Sequence, residues 1–441
     1  MAARQNNLSG GVKEPHMKPY EWQQPSVDMS VQSMQDNNII LNTSDTGTGK
    51  TVVACATAKQ LGCKFVIVAP LIVHDAWKRT IEAFGISKQF VGIVNPERLL
   101  YKNDFYKKRG HSWNIPTGAI VIWDEVHRGA SGYKTQTTQA LAMLKAFKVP
   151  VMPMSATVAD SPLKLRGVGY LLGLHKYEWR DFRDWAHKYG CYYDKRYMKE
   201  TFVKGVYAQR YMKQIHELIS DRMVRIRIED LKDFPESQLL ANLYTLKDKY
   251  VKEIHDIYAE MREEVKENPS NILTARLRAR QRTELIKVPL LRDLGTEAHE
   301  EKHSPVFFVN FRDSAEALHR ELEAEGIPTG IIIGQQKEKE RTKMKDAFQD
   351  NKLQAMVCTQ AGGLGIDLHD VKQERPRRSF ITPSDNAVHM VQSLGRIRRS
   401  GGTDVVQTFV LIAGTVEEKI HASLTQKLSN IETLNDGDLE A

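Results

Sequence analysis

"LNTSDTGTGKTVVAC", residues 41–55, leads from an apolar run (Ile39, Ile40, Leu41) through a glycine-rich turn into a second apolar run. Gly47 and Gly49 let the backbone N–H groups turn inward around phosphate oxygens at the start of the following helix. Lys50 supplies a point charge for the terminal phosphates, and Thr51 offers a hydroxyl to Mg2+. Ser44 stands where the pattern usually has its first glycine, and it is small enough to fit. With Thr46 and Thr48 between the glycines, residues 44 and 46–51 form a candidate phosphate-binding loop in its required setting of strand before and helix after.

Such a loop needs an acid on a neighbouring strand. "AIVIWDEVH", residues 119–127, supplies one: apolar residues and Trp123 drive a strand that ends in Asp124 and Glu125. Asp124 is placed to hold the magnesium shell and Glu125 to orient and deprotonate an attacking water. His127, just beyond, is a candidate link between this acid and the rest of the molecule.

The remaining sequence is consistent with two α/β units. At 441 residues the chain has room for two or three cores, and 41% hydrophobic with 27% charged residues is ordinary for a globular protein. The net charge of +8 fits either a solvated lysine-rich surface or a polyanionic partner. Cys55, Cys63, Cys191 and Cys358 show no metal-ligand spacing and read as buried thiols of a reducing compartment. No apolar run reaches the roughly 20 residues of a spanning helix. Residues 1–18 lack the apolar stretch of a signal peptide, so the expected location is the cytoplasm, or the nucleus of a eukaryote.

Five strand-like runs, "NNIILNTS", "KFVIVAP", "QFVGIVN", "GAIVIWDE" and "VPVMPMSAT", alternate with helical spacing at 50–61 and 75–84. That alternation predicts a parallel sheet covered on both faces. Residues 161–303 are rich in aromatics and bases, and Leu239, Leu243, Leu246, Tyr250, Ile254, Ile257, Tyr258, Met261 and Val265 follow the steps of one long helix. From 304, "PVFFVNF", "TGIIIG", "LQAMVCTQ", "RRSFITP" and "VVQTFVLIAGT" restore the strand pattern. The expected division is a flexible tail (1–15), a first lobe (16–160), a mainly helical insert (161–303), a second lobe (304–426) and an acidic tail (427–441).

"GTGKT" with "DEVH" resembles the nucleotide site of helicase superfamily 2, and further stretches fit in order. "VIVAPLIVHDAW" (66–77) is similar to the motif in which Pro70 opens a nucleic-acid-contacting loop. "MSAT" (154–157) is similar to the element coupling nucleotide state to the bound strand, through Ser155 and Thr157. "CTQAGGLGIDL" (358–368) and "HMVQSLGRIRR" (389–399) are similar to the last two motifs, and "KPYEWQQPSVD" (18–28) loosely to the adenine-reading one, with Gln23 as its glutamine. The wording "AGGLGIDL" and the ending "TVEEKI" resemble the Snf2-like translocases. The linker "IHELISDRMVRIRIEDLKDFP" (215–235) resembles their fork-remodelling, strand-annealing branch. The large insertions of nucleosome remodellers are absent, as suits a compact, phage- or bacterium-encoded enzyme.

This resemblance implies an α/β fold of two RecA-like parallel-sheet lobes, with ATP and Mg2+ between them and a monomeric motor. ATP is expected against Gln23, the loop residues, Gly365 and Asp367, with Mg2+ on Thr51 and Asp124. Gln392, Arg396 and Arg399 are read on one helix, the two arginines three apart and aimed across the cleft to stabilise transition-state charge. Pro70, Thr157, Thr359, Gly363 and Arg398 are the nucleic-acid candidates, with Arg398 equally readable as a solvated charge. Coupling falls to His127, Ser155, Thr157 and Gln392. Trp179, Trp185, Tyr192 and Tyr193 either stack on unpaired bases or fill a helical core. The expected function is a DNA helicase or translocase for branched or forked DNA, and single-stranded DNA besides, acting in replication, recombination or repair. An RNA helicase and an ATP-gated binding or protein-displacing factor are the alternatives.

Overall fold

The computed structural model describes residues 17–101, 103–127, 135–196, 198–232, 234–334, 336–359, 366–384 and 387–437. In chain order its strands are β1 (Leu41–Asn42), β2 (Phe65–Val68), β3 (Phe90–Val94), a short hairpin β4 (Tyr106–Lys107) and β5 (Ser112–Trp113), β6 (Ile120–Asp124) and β7 (Val151–Met154). There follow a second hairpin β8 (Cys191–Asp194) and β9 (Lys199–Phe202), then β10 (Met223–Val224) and β11 (Ser237–Tyr244). The last five are β12 (Ser304–Val309), β13 (Thr329–Ile332), β14 (Ala355–Thr359), β15 (Arg377–Ile381) and β16 (Val405–Ile412).

Two six-stranded, all-parallel sheets result, in the orders β10-β1-β7-β6-β2-β3 and β11-β16-β15-β12-β14-β13. β2, β6 and β7 are buried throughout because both faces of the sheet are covered. The two-residue side-chain alternation shares each strand between two cores. In β6, Val121 and Trp123 join Leu141, Leu144, Val168, Met212 and Ile215 on one face. Ile120 and Ile122 join Val27, Val53, Trp77, Ile81 and Phe84 on the other. The second sheet repeats the arrangement, with Phe308, Met356 and Ile381 on one face and Phe307, Val357 and Phe380 on the other. Each such buried side chain contributes about 1.5–3 kcal/mol relative to exposure. Two parallel-sheet lobes are therefore as expected, and the helices Lys50–Leu61 and His74–Phe84 occupy the segments that carried helical spacing.

Three boundaries differ. Residues 161–303 are mainly helical and also lend a strand to each lobe: β10 extends the first sheet and β11 the second, so the chain crosses between lobes near residues 225–236. The long helix read from Leu239 begins at Asp248, and Leu239 and Leu243 lie on the edge strand β11 instead. A step of four satisfies both the strand period of 2 and the helical 3.6, so those two leucines carried no distinction. Finally, 427–436 is no tail. It is the end of the helix Glu417–Asp436, which leaves the second lobe and packs along the helix Val206–Ile219 on the first. Ser429, Asn430, Thr433 and Asn435 are buried there, each making a side-chain hydrogen bond, and that polar composition disguised the burial. Residues 1–15 and 438–441 lie outside the described residues.

Candidate active site between the lobes

The turn after β1 carries the phosphate loop. Gly47 and Gly49 have φ of +97° and +78°, the left-handed region that glycine adopts without steric cost. A Cβ on Gly49 would stand 2.5 Å from the Gln23 side-chain nitrogen, and one on Gly47 would stand 2.8 Å from Arg399 Nη1 of the other lobe. Gln23 is buried and fastened to the loop: Nε2 donates to the Thr48 carbonyl (2.8 Å), while Oε1 accepts from the Tyr20 N–H (2.9 Å). Thr48 Oγ1 donates to the Asp45 carbonyl (2.9 Å). Lys50 Nζ is folded back onto the carbonyls of Ser44 (2.8 Å) and Asp45 (3.1 Å). Burial lowers the Lys50 ammonium below its ordinary value, opposed by the carboxylates of Glu125, Asp124 and Asp45. Thr51, half-buried, is the second residue of the helix that starts at Lys50.

Asp124 closes β6 beneath this loop. Its Oδ2 accepts from Trp77 Nε1 (3.0 Å) and its Oδ1 from the Glu125 backbone N–H (2.9 Å). Burial, and then the Glu125 carboxylate beside it, push its carboxyl up to about 6. Glu125 has φ +49°, a left-handed conformation uncommon outside glycine. One turn further, His127 Nδ1 lies 2.7 Å from Ser155 Oγ, 3.3 Å from Glu125 Oε2 and 3.4 Å from Thr157 Oγ1. Its other nitrogen faces Gln392 Nε2 of the second lobe at 3.4 Å. His127, Ser155, Thr157 and Gln392 thus meet in one buried cluster that joins the acid to both lobes.

The helix expected to carry the arginines ends at Leu394; Gly395, Arg396 and Arg399 lie in the turn beyond it. Gly395 lies where the lobes touch, and a Cβ there would come 2.9 Å from Thr46 Cβ and nearer still to the Thr46 hydroxyl. Both arginines nonetheless face the cleft. Arg399 Nη1 donates to the Thr46 carbonyl (3.3 Å), and its guanidinium pairs with Asp367 at 2.8 Å. Arg396 is buried, which lowers its guanidinium to about 10, with Arg399, Asp367 and Glu125 among the charges it feels. Arg398 Nε donates to the Pro235 carbonyl (2.8 Å), and the half-buried side chain lines a cavity whose wall also contains Asp45 and Arg225.

Pro70, Thr157 and Thr359 sit at or just past the carboxyl ends of β2, β7 and β14, where ligands gather on open parallel sheets. All three are buried, Thr157 against His127, whereas Leu71, next to Pro70, is exposed. Gly363 and Gly365 lie outside the described residues. Of the aromatics, Trp185 packs on His175, Phe182 and Tyr189, and Trp179 on Phe182, whereas Tyr192 and Tyr193 are half-exposed on β8. Sequence reasoning missed Trp77 as the donor to Asp124, and Arg225, which reaches Asp45 at 2.8 Å. Trp77 stood inside a quoted motif, but nothing in it announced the partner.

These residues fit a magnesium nucleotide. Gln392 Oε1 and Arg396 Nε are buried at the cleft without a hydrogen-bond partner, and Lys50 is held only by carbonyls that phosphate oxygens can replace. Among the described residues no group of three His, Cys, Asp or Glu side chains forms a metal cage. One carboxylate (Asp124) and one hydroxyl (Thr51) suit an ion that keeps waters and binds through substrate phosphates. Among the described residues no helix is long and apolar enough to cross a membrane.

Residues 16–160 match the family described as type III restriction enzyme, res subunit, and residues 270–401 the helicase conserved C-terminal domain. The chain is 30% identical over 446 residues to the putative ATP-dependent RNA helicase L364 of Acanthamoeba polyphaga mimivirus, covering 91% of this chain and 81% of that protein. It is 29% identical over 123 residues to the ATP-dependent RNA helicase RhlB of Shewanella amazonensis, 28% of this chain and 27% of that one. In structure it is similar to S. cerevisiae Dbp5 bound to RNA and ADP BeF3, at a TM-score of 0.53 and 14% identity over 94% of this chain and 89% of that one.

These relatives overturn the expectation of a DNA motor for forks and branched junctions, and its roles in replication, recombination and repair lose their support with it. That expectation rested on the wording of 361–368 and on the linker 215–235. Residues 361–365 lie outside the described residues. The linker residues Arg225, Ile226 and Ile228 are engaged inside the molecule, where they clasp the phosphate loop.

Proposed function

The chain belongs to helicase superfamily 2, and from that premise we propose that it is an ATP-driven RNA helicase whose two lobes share one nucleotide site. The observation that carries the motor is the contact of Arg399, in the second lobe, with the Thr46 carbonyl of the phosphate loop in the first. RNA as the partner is supported by the similarity to an RNA helicase through 91% of the chain.

In this reading the N–H groups of 46–51 and Lys50 bind the phosphates, with Gln23 holding the loop in shape. Asp124 and Thr51 would hold Mg2+, which would supply charge that stabilises the phosphoryl oxygens. Glu125 accepts a proton from the water whose oxygen bonds to the γ-phosphorus, as the bond to the bridging oxygen breaks and ADP leaves. Arg396 and Arg399 stabilise the charge spread over the transferring group, a contribution of about three to five powers of ten in rate. Asp367 aims Arg399 by pairing with it. Loss of the γ-phosphate removes what both arginines hold, and the cleft is free to open. His127 and Gln392 carry that change to Ser155 and Thr157, at the end of the sheet where the loop after Pro70 contacts the RNA backbone. Contacts to phosphate and sugar make binding independent of sequence, and 2′-hydroxyl contacts are what separate RNA from DNA.

The test is ATP turnover with single-stranded RNA, duplex RNA and DNA of matched sequence, with Lys50→Ala as control. RNA should stimulate turnover, DNA should leave it near basal, and Lys50→Ala should abolish it. Equal stimulation by DNA refutes the RNA reading, and a rate indifferent to every nucleic acid refutes the motor.

A further inference from the structure

We infer that Arg225 is a positioning residue of the phosphate loop, through which the C-terminal helix of the second lobe controls the grip on nucleotide. This rests on the reading of residues 43–51 as the site of the ATP phosphates.

Arg225 directly follows β10, at the edge of the first sheet, and its side chain is only 15% exposed. Its guanidinium makes four hydrogen bonds, in two directions. Toward the loop, Nη1 donates to the Thr43 carbonyl (2.6 Å) and to Asp45 Oδ1 (2.8 Å). Away from it, Nε and Nη2 form a two-pronged pair with the Asp436 carboxylate at 2.6 and 2.8 Å. Burial would lower this guanidinium, but the hydrogen bonds and charges of Asp436 and Asp45 outweigh it and raise it.

The clasp on the loop extends beyond the arginine. The Asp45 N–H donates to the Ile226 carbonyl (3.0 Å), the Ile228 N–H to Asp45 Oδ2 (3.0 Å), and the Ile226 N–H to Ser44 Oγ (3.1 Å). Ser44 and Asp45 are the two residues whose carbonyls hold Lys50. A displacement of Arg225 therefore moves the anchor of the lysine that binds phosphate.

At the far side, Asp436 is the last residue of the helix Glu417–Asp436. A carboxylate at a helix C-terminus opposes the helix dipole, so its position is explained by the arginine and not by the helix. This helix springs from β16 of the second lobe. Near its end Asn435 Nδ2 donates to the Ala156 carbonyl (2.9 Å), and Asn430 Nδ2 to that of Asp160 (3.1 Å). One helix thus holds the phosphate loop through Asp436 and the Ser155–Thr157 loop through Asn435. A cavity of about 520 Å3, lined by Asp45, Ala156, Arg225, Arg398 and Asp436, adjoins this node and leaves the guanidinium room to shift.

The experiment uses the full chain and the variants Arg225→Gln, Asp436→Asn and their double, with Lys50→Ala as control. Measured are KM and kcat for ATP with saturating RNA, the Kd of a fluorescent ADP analogue, the Kd for RNA without nucleotide, and Tm. Each single variant should raise the KM for ATP and the Kd for the ADP analogue by about tenfold, with RNA affinity unchanged. The double variant should be no worse than the worse single one, because both break the same chain of contacts. Asp436→Asn is isosteric and relieves a charge at the helix end, so it carries the test if Arg225→Gln fails to fold. Unchanged nucleotide affinity, additive effects, or equal losses of nucleotide binding, RNA binding and Tm each overturn the inference. If Lys50→Ala lowers nucleotide affinity and the Arg225 and Asp436 variants do not, the inference alone fails. If Lys50→Ala leaves affinity intact, the reading of the loop itself has failed.

Discussion

Gly395→Ala should uncouple the lobes while leaving each one folded. The added Cβ would stand 2.9 Å from Thr46 Cβ, with the Thr46 hydroxyl oxygen closer still. Rotating the threonine removes the clash with the oxygen but not the one with Cβ, whose position the backbone fixes. Ordinary carbon contacts lie at about 3.5–4.0 Å, so the lobes must part locally by roughly 0.6–1.1 Å. The same movement carries Arg399 away from the Thr46 carbonyl, now at 3.3 Å. Misplacement of catalytic groups by about 1 Å costs on the order of 100-fold in rate. RNA-stimulated kcat should therefore fall by about 10- to 100-fold, while the Kd of a fluorescent ADP analogue and Tm stay near wild type. Thr46→Gly removes the opposing atoms, so the double variant Gly395→Ala/Thr46→Gly should regain the rate of Thr46→Gly alone. Wild-type kcat in Gly395→Ala, or no recovery in the double variant, refutes the argument.

Three further outcomes follow from buried and charged groups. Lys287 is fully buried, with Nζ 2.7 Å from the Val410 carbonyl and 3.0 Å from both oxygens of Glu417, so Lys287→Met strands a buried carboxylate and should cost about 3–5 kcal/mol in urea unfolding. A loss below about 1 kcal/mol would contradict the pairing. Burial pushes the thiols of Cys55, Cys191 and Cys358 up to about 12; it raises that of Cys63 too but leaves this residue partly accessible, so alkylation of the native protein at neutral pH should add one adduct, at Cys63, and a second adduct at the same rate contradicts this. Burial alone would raise the Asp367 carboxyl, but Arg399 and Arg396 outweigh it and hold it below its ordinary value, 3.8. Its stabilisation is therefore present above that value and lost as pH falls through the lower folded one. The Tm gap between wild type and Asp367→Asn should close on acidification toward pH 3, and a gap that widens there refutes the sign.

The strands were legible because a buried parallel strand is written as an unbroken apolar run, and "IVIW" or "FVIV" admits few other readings in a chain with turns at both ends. β11 was illegible for the opposite reason. It is an edge strand with Leu239 and Leu243 half-exposed, and its apolar residues are spaced to suit either period. The Glu417–Asp436 helix was hidden differently: its face on the first lobe is built from Ser429, Asn430, Thr433 and Asn435, whose burial depends on hydrogen-bond partners more than 200 residues away as well as on local ones. Composition reports a hydrophobic face and is silent about a polar one that is satisfied.

The site divides along the same line. Lys50, Thr51, Asp124 and Glu125 could be placed from sequence because phosphate chemistry demands those residue types within one turn and one strand end, so short windows carry the whole requirement. What converts that chemistry into a motor is the meeting of Thr46 with Gly395 and Arg399, of His127 with Gln392, and of Arg225 with Asp45 and Asp436. Each of these joins segments between 180 and 353 residues apart, and none requires a distinctive local pattern. A helix was expected to carry Arg396 and Arg399, yet both follow its end at Leu394, beyond a glycine whose missing Cβ leaves room for Thr46 of the other lobe. A short motif reports the chemistry of its own few residues, while similarity over the whole chain draws on many more. That is why the loop wording favoured DNA while similarity over the whole chain pointed to RNA helicases.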